Sequence, residues 1–138
     1  MESAPDKNKA LMKAFLSELD KNVSAIDSFF TPDCRAHIPG NLSPADRSGF
    51  KQFVGMLYGA FPDLTHEIAL QVAEEDCVVS LVKAAGTHRG DFEGFPATGK
   101  KITITDIIIA IVERDRIIEL WAQFDVLGLF AQLKEEKL

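Results

Sequence analysis

At 138 residues the chain is long enough to bury one hydrophobic core and short for two, so residues 1–138 are read as a single domain. Its 46% hydrophobic and 26% charged residues fall in the globular range, which excludes disordered and fibrous classes. A net charge of −6 argues against a surface that neutralises phosphates or an anionic membrane, so neither nucleic acid nor membrane is an expected partner.

Met1 to Ala10 is too charged for a signal peptide, and no run approaches the ~20 apolar residues of a membrane span, which points to a cytoplasmic location. Leu11, Met12, Phe15, Leu16 and Leu19 recur at helical spacing and predict a first helix over Lys7 to Leu19. A second, short helix is predicted from Asn22 to Phe30, ending before Thr31 and Pro32, followed by a brief strand around Cys34 to Ile38. Ser43 and Pro44 read as the cap and first position of a third helix reaching Phe61, where Pro62 closes it. Four extended segments follow, Thr65 to Glu74, Asp76 to Arg89, Lys101 to Arg114 and Arg116 to Phe124, and predict an antiparallel meander. Cys77 to Val82 and Ile102 to Val112 are apolar on both faces, so both faces need cover, by helices on one side and a partner subunit or pocket on the other. A last helix is predicted from Val126 to Lys134, and Lys134 to Lys137 reads as a fraying tail.

Cys34 and Cys77 lack a CxxC arrangement and sit among apolar neighbours, as reduced thiols do. His37, His66 and His88 have no zinc-site spacing, and Gly86, Gly90, Gly94 and Gly99 open no strand-to-helix unit, so neither a metal nor a nucleotide cofactor is expected.

Five segments taken together carry a resemblance: Ala60-Phe-Pro-Asp-Leu, Ala73-Glu-Glu-Asp-Cys-Val-Val, Gly86-Thr-His-Arg-Gly, Gly94-Phe-Pro-Ala-Thr-Gly-Lys, and Ile118-Glu-Leu-Trp with Asp125, Gly128 and Gln132-Leu133. The chain resembles the SnoaL-like polyketide cyclases, a branch of the NTF2-like superfamily, over nearly its whole length. The resemblance implies an α+β fold in which a strongly curved, cone-shaped antiparallel or mixed sheet is wrapped by three N-terminal helices, forming a homodimer with a cofactor-free site inside the cone. It also implies ring closure by intramolecular aldol chemistry with an aspartate as acid and base, matched here by Asp125, while His37 and His88 match positions where the family often carries histidine. Two departures stand out. The strand Ile102 to Val112 carries no histidine or arginine, and the usual Asp-Gly turn before the last strand reads Arg114-Asp115.

Because strand side chains alternate, Trp121, Gln123 and Asp125 share one face, taken as the cavity face, and Leu120, Ala122 and Phe124 the other. A carboxylate in such an apolar setting has its charged form disfavoured, which suits it to take a proton from carbon beside a carbonyl; equally, Asp125 stands where it would cap the last helix. Asp106 interrupts an isoleucine-rich strand, where a lone charge is costly, so it is expected to act as an orienting acid in the pocket or to enter a salt bridge or dimer contact. His88, at a strand end, is a candidate donor to an oxyanion. His37 is expected at the cavity mouth and His66 at the surface. Phe15, Phe53, Met56, Tyr58 and Phe61 are either cavity lining or plain core. Phe92 and Phe95 lie in an inter-strand loop, as a lid or a dimer contact.

The expected function is proton transfer on a small, largely apolar carbonyl compound, with Asp125 and His88 as acid/base and polar assistant, and His37, Trp121, Gln123 and Asp106 holding the substrate. Three alternatives stay open: a non-catalytic ligand-binding protein, an interaction subunit, and an epoxide hydrolase built on Asp106 and Asp125.

Overall fold

Ser3 starts the first helix: its hydroxyl accepts from the Asp6 backbone N–H, and Pro5 occupies the first turn, where its missing N–H costs nothing. The computed structural model describes residues 3–135. Along it run α1 (Ala4–Leu19), α2 (Ala25–Phe29), β1 (Phe30–His37), α3 (Arg47–Ala60), β2 (Thr65–Glu74), β3 (Cys77–Thr87), β4 (Lys101–Glu113), β5 (Arg116–Phe124) and α4 (Val126–Lys134). One curved five-stranded sheet has the order β1-β5-β4-β3-β2, antiparallel throughout except for the parallel β1–β5 pair. α1 packs over β2 and β3, α3 over β1, and α4 over β4. No described helix is long and apolar enough to cross a membrane. Residues 136–138, part of the tail expected to fray, lie outside the described residues.

Several boundaries differ from expectation; α1 already starts at Ala4 rather than Lys7, and β3 ends at Thr87 rather than Arg89. Phe30 to His37 is all strand, because β1 is an edge strand and Pro32 falls where β1's register with β5 is broken. The second helix correspondingly shrinks to Ala25–Phe29. Helix α3 starts at Arg47 rather than Pro44: Ala45 is drawn into a bridge with Ala36, and the cap passes to Asp46, which accepts from the Gly49 N–H at 2.7 Å. In the β4–β5 hairpin Arg114 and Asp115 both take left-handed conformations, φ 53 and 62, so this tight turn is made without the usual glycine.

The register sorts the strands into two faces. Toward the helices point His66, Ile68 and Gln71; Val78, Ser80, Val82 and Ala84; Ile104, Asp106, Ile108 and Ala110; Leu120, Ala122 and Phe124. Val78, Val82, Ile108, Ala110, Leu120 and Ala122 enter one core with Met12, Phe15, Leu16, Phe30, Phe50 and Val54. A second cluster, Ala60, Phe61, Leu64, Ala84, Phe92, Ile102, Leu129 and Leu133, closes the mouth of the curved sheet under α4. The outer face carries a row Val72–Val79–Ile109–Trp121–His37 running across all five strands.

Candidate functional site

Between α3, the loop after β3, the end of β5 and α4 lies an open cavity of about 680 Å³, lined by Phe53, Met56, Phe92, Phe124 and Phe130 with Pro39, Gln123, Asp125 and Leu127 at its rim. Phe53 and Phe124 stack across it, ring centroids 6.3 Å apart. Loop and helix hold its walls through backbone contacts. Arg89 and Gly90 both donate to the Ala60 carbonyl, and a Cβ at position 90 would lie 2.4 Å from the Gly59 oxygen, so only glycine lets the loop pass the end of α3.

Asp125 is exposed and caps α4, its Oδ1 accepting from the Gly128 N–H at 2.8 Å. The burial expected for its carboxyl falls on Asp106 instead. Asp106 points into the helix-covered face, only 8% exposed, between Val82 and Phe124 in the register. Its Oδ1 has no hydrogen-bond partner among the described residues. Burial pushes its carboxyl up to about 6, opposed only by the nearby His66 ring. No ion pair among the described residues includes it, and it points to the helix-covered side of the sheet. Asp106 does not line the open cavity; Phe124, its cross-strand partner, does.

Two further expectations are corrected by register. Leu120 and Ala122, on either side of Trp121, are buried, which puts Trp121 on the outer face, ring against ring with His37 at 4.8 Å and 4°. His37 therefore leaves the cavity mouth; its Nε2 lies 2.7 Å from Glu119, which also accepts from Arg35 at 2.9 Å. Gln123 belongs to the same outer set, yet the end of β5 brings it to the cavity rim. Phe15 and Phe61 are core, 1% and 2% exposed, whereas Phe53 and Met56 line the cavity.

His88 is wholly buried at the end of β3, on the helix-covered side, against Phe61. The Thr98 backbone N–H donates to its Nδ1 at 3.2 Å, so in the neutral ring the proton sits on Nε2, which has no partner among the described residues. His88 and Asp106 are not brought together: six residues of β3 separate His88 from Val82, the partner of Asp106, roughly 20 Å of strand. The motifs that carry the resemblance are in large part scaffold. Asp63 accepts from the Thr87 N–H and hydroxyl, both at 2.7 Å, and these bonds hold its carboxyl below the usual range. Lys100 donates to the carbonyls of Leu133 and Glu135 under α4.

Sequence reasoning missed His66. It is turned inward, its Nδ1 2.7 Å from Asp20 Oδ1, with Tyr58 donating to the same oxygen at 2.6 Å. The signal was there in the alternation with Ile68, another inward residue, but its partner Asp20 lies 46 residues away. Among the described residues no three His, Cys, Asp or Glu side chains converge as metal ligands.

The family model described as SnoaL-like polyketide cyclase matches residues 10–133. The chain belongs to this family. A SnoaL-like relative of known structure, a candidate polyketide cyclase from Acidithiobacillus ferrooxidans, is 31% identical over 96% of this chain and 98% of its own, with a TM-score of 0.83. IdmH, a candidate polyketide cyclase from Streptomyces antibioticus, is 28% identical over 97% and 100%, with a TM-score of 0.79. AclR from Streptomyces galilaeus, described as a candidate hydroxylase, shares the fold at 22% identity over 96% and 99%, TM-score 0.86. Among individually curated proteins none matches. The SnoaL-like fold thus carries relatives assigned to more than one reaction, and the site residues of this chain have to decide its own.

Proposed function

We propose that this chain is a cofactor-independent acid/base enzyme acting on a small, largely apolar carbonyl compound, with Asp106 as the proton-transfer group and Asp125 as the cap that shapes the cavity rim. The observation that carries this reading is a buried carboxyl with an unpartnered oxygen, lifted to about 6, on the inner face of an apolar fold. Ionised Asp106 takes a proton from the carbon beside the carbonyl, the C–H electron pair moves toward the carbonyl oxygen, and the protonated acid, favoured by burial, returns the proton at the product position. Movement of the Phe53–Phe124 pair admits the substrate. Family membership supports proton chemistry of the cyclase or isomerase kind; the epoxide-hydrolase alternative loses support because Asp125 is exposed at a helix cap while Asp106 is buried.

A carbon acid such as 5-nitrobenzisoxazole, whose ring opens when a base removes its proton, reports on Asp106 without knowledge of the natural substrate. Elimination above the buffer rate is expected for the native chain and for Asp125→Asn, and its loss for Asp106→Asn. Equal turnover by Asp106→Asn would refute the assignment. A second reading, a non-catalytic binder, is favoured by one observation: the open cavity reaches Phe124 and not Asp106. Its signature is binding of an apolar fluorescent probe, equal in native and Asp106→Asn chains, with no elimination by either.

The outer face supports a homodimer. Leu70, Val72 and Ile107 are 55%, 60% and 45% exposed on it, an apolar patch of the kind that marks an interface. Sedimentation should show a dimer that Val72→Glu converts to monomer; a native monomer would sink the idea. Cys34 and Cys77 are both free, which supports a reducing, cytoplasmic compartment.

A further inference from the structure

His66 and Asp106 belong to neighbouring rows of the inner face. His66 pairs with Ala84 and Ala84 with Ile104, while Asp106, two residues along β4, pairs with Val82 and Phe124. The β3 side chains between them are therefore Ala84, a single methyl, and Val82. Asp20, at the C-terminus of α1, fixes the imidazole from behind: Oδ1 meets Nδ1 at 2.7 Å, and Oδ2 accepts from the His66 backbone N–H at 2.9 Å. Since a carboxylate only accepts, Nδ1 carries a proton, and Nε2 is where the ring gains or loses its second one.

Tyr58, from α3, donates to Asp20 at 2.6 Å and is kept protonated by burial and by the Asp20 charge. Burial works against the Asp20 charge, but the hydrogen bonds from His66 and Tyr58 outweigh it and hold its carboxyl low. From β3 and β5 only Val82, Ala84, Ala122 and Phe124 face Asp106. Lys13 and Lys21 line a surface depression on the solvent side of Asp20 and His66.

We propose that His66, oriented by Asp20, is the positioning residue of the interior site, setting a positive charge one row from Asp106 that favours the carboxylate form able to take a proton from carbon. This rests on the reading of Asp106 as the proton-transfer group, but the coupling between the two side chains is measurable with no substrate present. Without His66, Asp106 holds its proton over more of the pH range. The base is then withheld rather than destroyed.

Carbon-13 NMR titration of the full chain, with the Asp106 carboxyl assigned by its disappearance in Asp106→Asn, tests this directly. In His66→Gln the Asp106 midpoint is expected to rise by about one pH unit. At pH 6 that cuts the ionised fraction, and with it benzisoxazole elimination, about fivefold, while the plateau rate at high pH is unchanged. His66→Asn, a second neutral replacement, is expected to raise the Asp106 midpoint likewise, and this arm stands even if His66→Gln fails to fold. Midpoints that stay put in both variants overturn the proposal. Shifted midpoints in a chain without elimination activity would uphold the charge coupling and overturn the reading of Asp106 as a base.

Discussion

Two aspartates nineteen positions apart, Asp106 and Asp125, meet opposite fates in one small fold. Asp106 lies on the covered side of the sheet, among Val82, Ile108 and Phe124, with an oxygen that bonds to nothing among the described residues. Asp125 lies at the mouth, exposed, with its carboxylate spent on the first turn of α4. Chemical identity does not separate them; the parity of the strand and the closeness of a helix start do. The interior therefore sets proton affinity and the mouth sets shape, and substitutions should have effects of different size and sign in the two regions.

The largest effect is expected in the interior packing. Phe15 is 1% exposed and meets Phe29 and Phe30 ring to ring, so Phe15→Ala should cost about 3–5 kcal/mol in urea unfolding. Next comes the interior charge. The Asp106 carboxyl is raised from 3.8 to about 6, so the unfolded chain releases this proton first as pH rises. Stability is thus lost between about pH 4 and 6, reaching at most about 3 kcal/mol above that window. Asp106→Asn should recover much of this at pH 7.5 and little at pH 3.5, and unfolding midpoints at the two values check the sign.

At the mouth the effects shrink. Asp125→Ala removes a helix cap and should cost about 1 kcal/mol, read from thermal unfolding, with no change in the pH window assigned to Asp106. Smallest of all is Leu127→Ala, at 81% exposure on the cavity rim: stability should move by less than about 0.5 kcal/mol while binding of an apolar probe weakens. If Leu127→Ala proved as damaging as Phe15→Ala, the division between interior and mouth would collapse.

The strands were legible because alternation over eight or more residues is a strong signal: β2 and β5 span the residues their patterns predict, Thr65–Glu74 and Arg116–Phe124. What alternation cannot say is which face is which. The split of β5 into Trp121 with Gln123 and Leu120 with Ala122 was legible, but the covered face is chosen by pairing with β1 and β4, and Trp121 proved to be outside against His37. The start of α3 was misplaced because Ser43-Pro44 is a good cap locally, and a bridge between Ala36 and Ala45 overrides it. Asp106 was legible as an anomaly, a charge within a run of isoleucines; that it has neither an ion pair among the described residues nor a place on the outer face needed the register. In the Asp20–His66–Tyr58 group the alternation with Ile68 marks His66 as inward, but its partners come from other elements, Asp20 being 46 residues away, and no local pattern joins them.

The edges of the sheet also bear on how the molecule behaves in a crowd. At one end β1 carries Pro32 and a break in register after Phe30; at the other β2 has a register shift between Ile68 and Leu70 and outward Glu67 and Glu74. Proline, bulges and charge are the features that keep a free strand from templating another. Growth of fibrils by strand addition is thereby discouraged at both borders of the sheet.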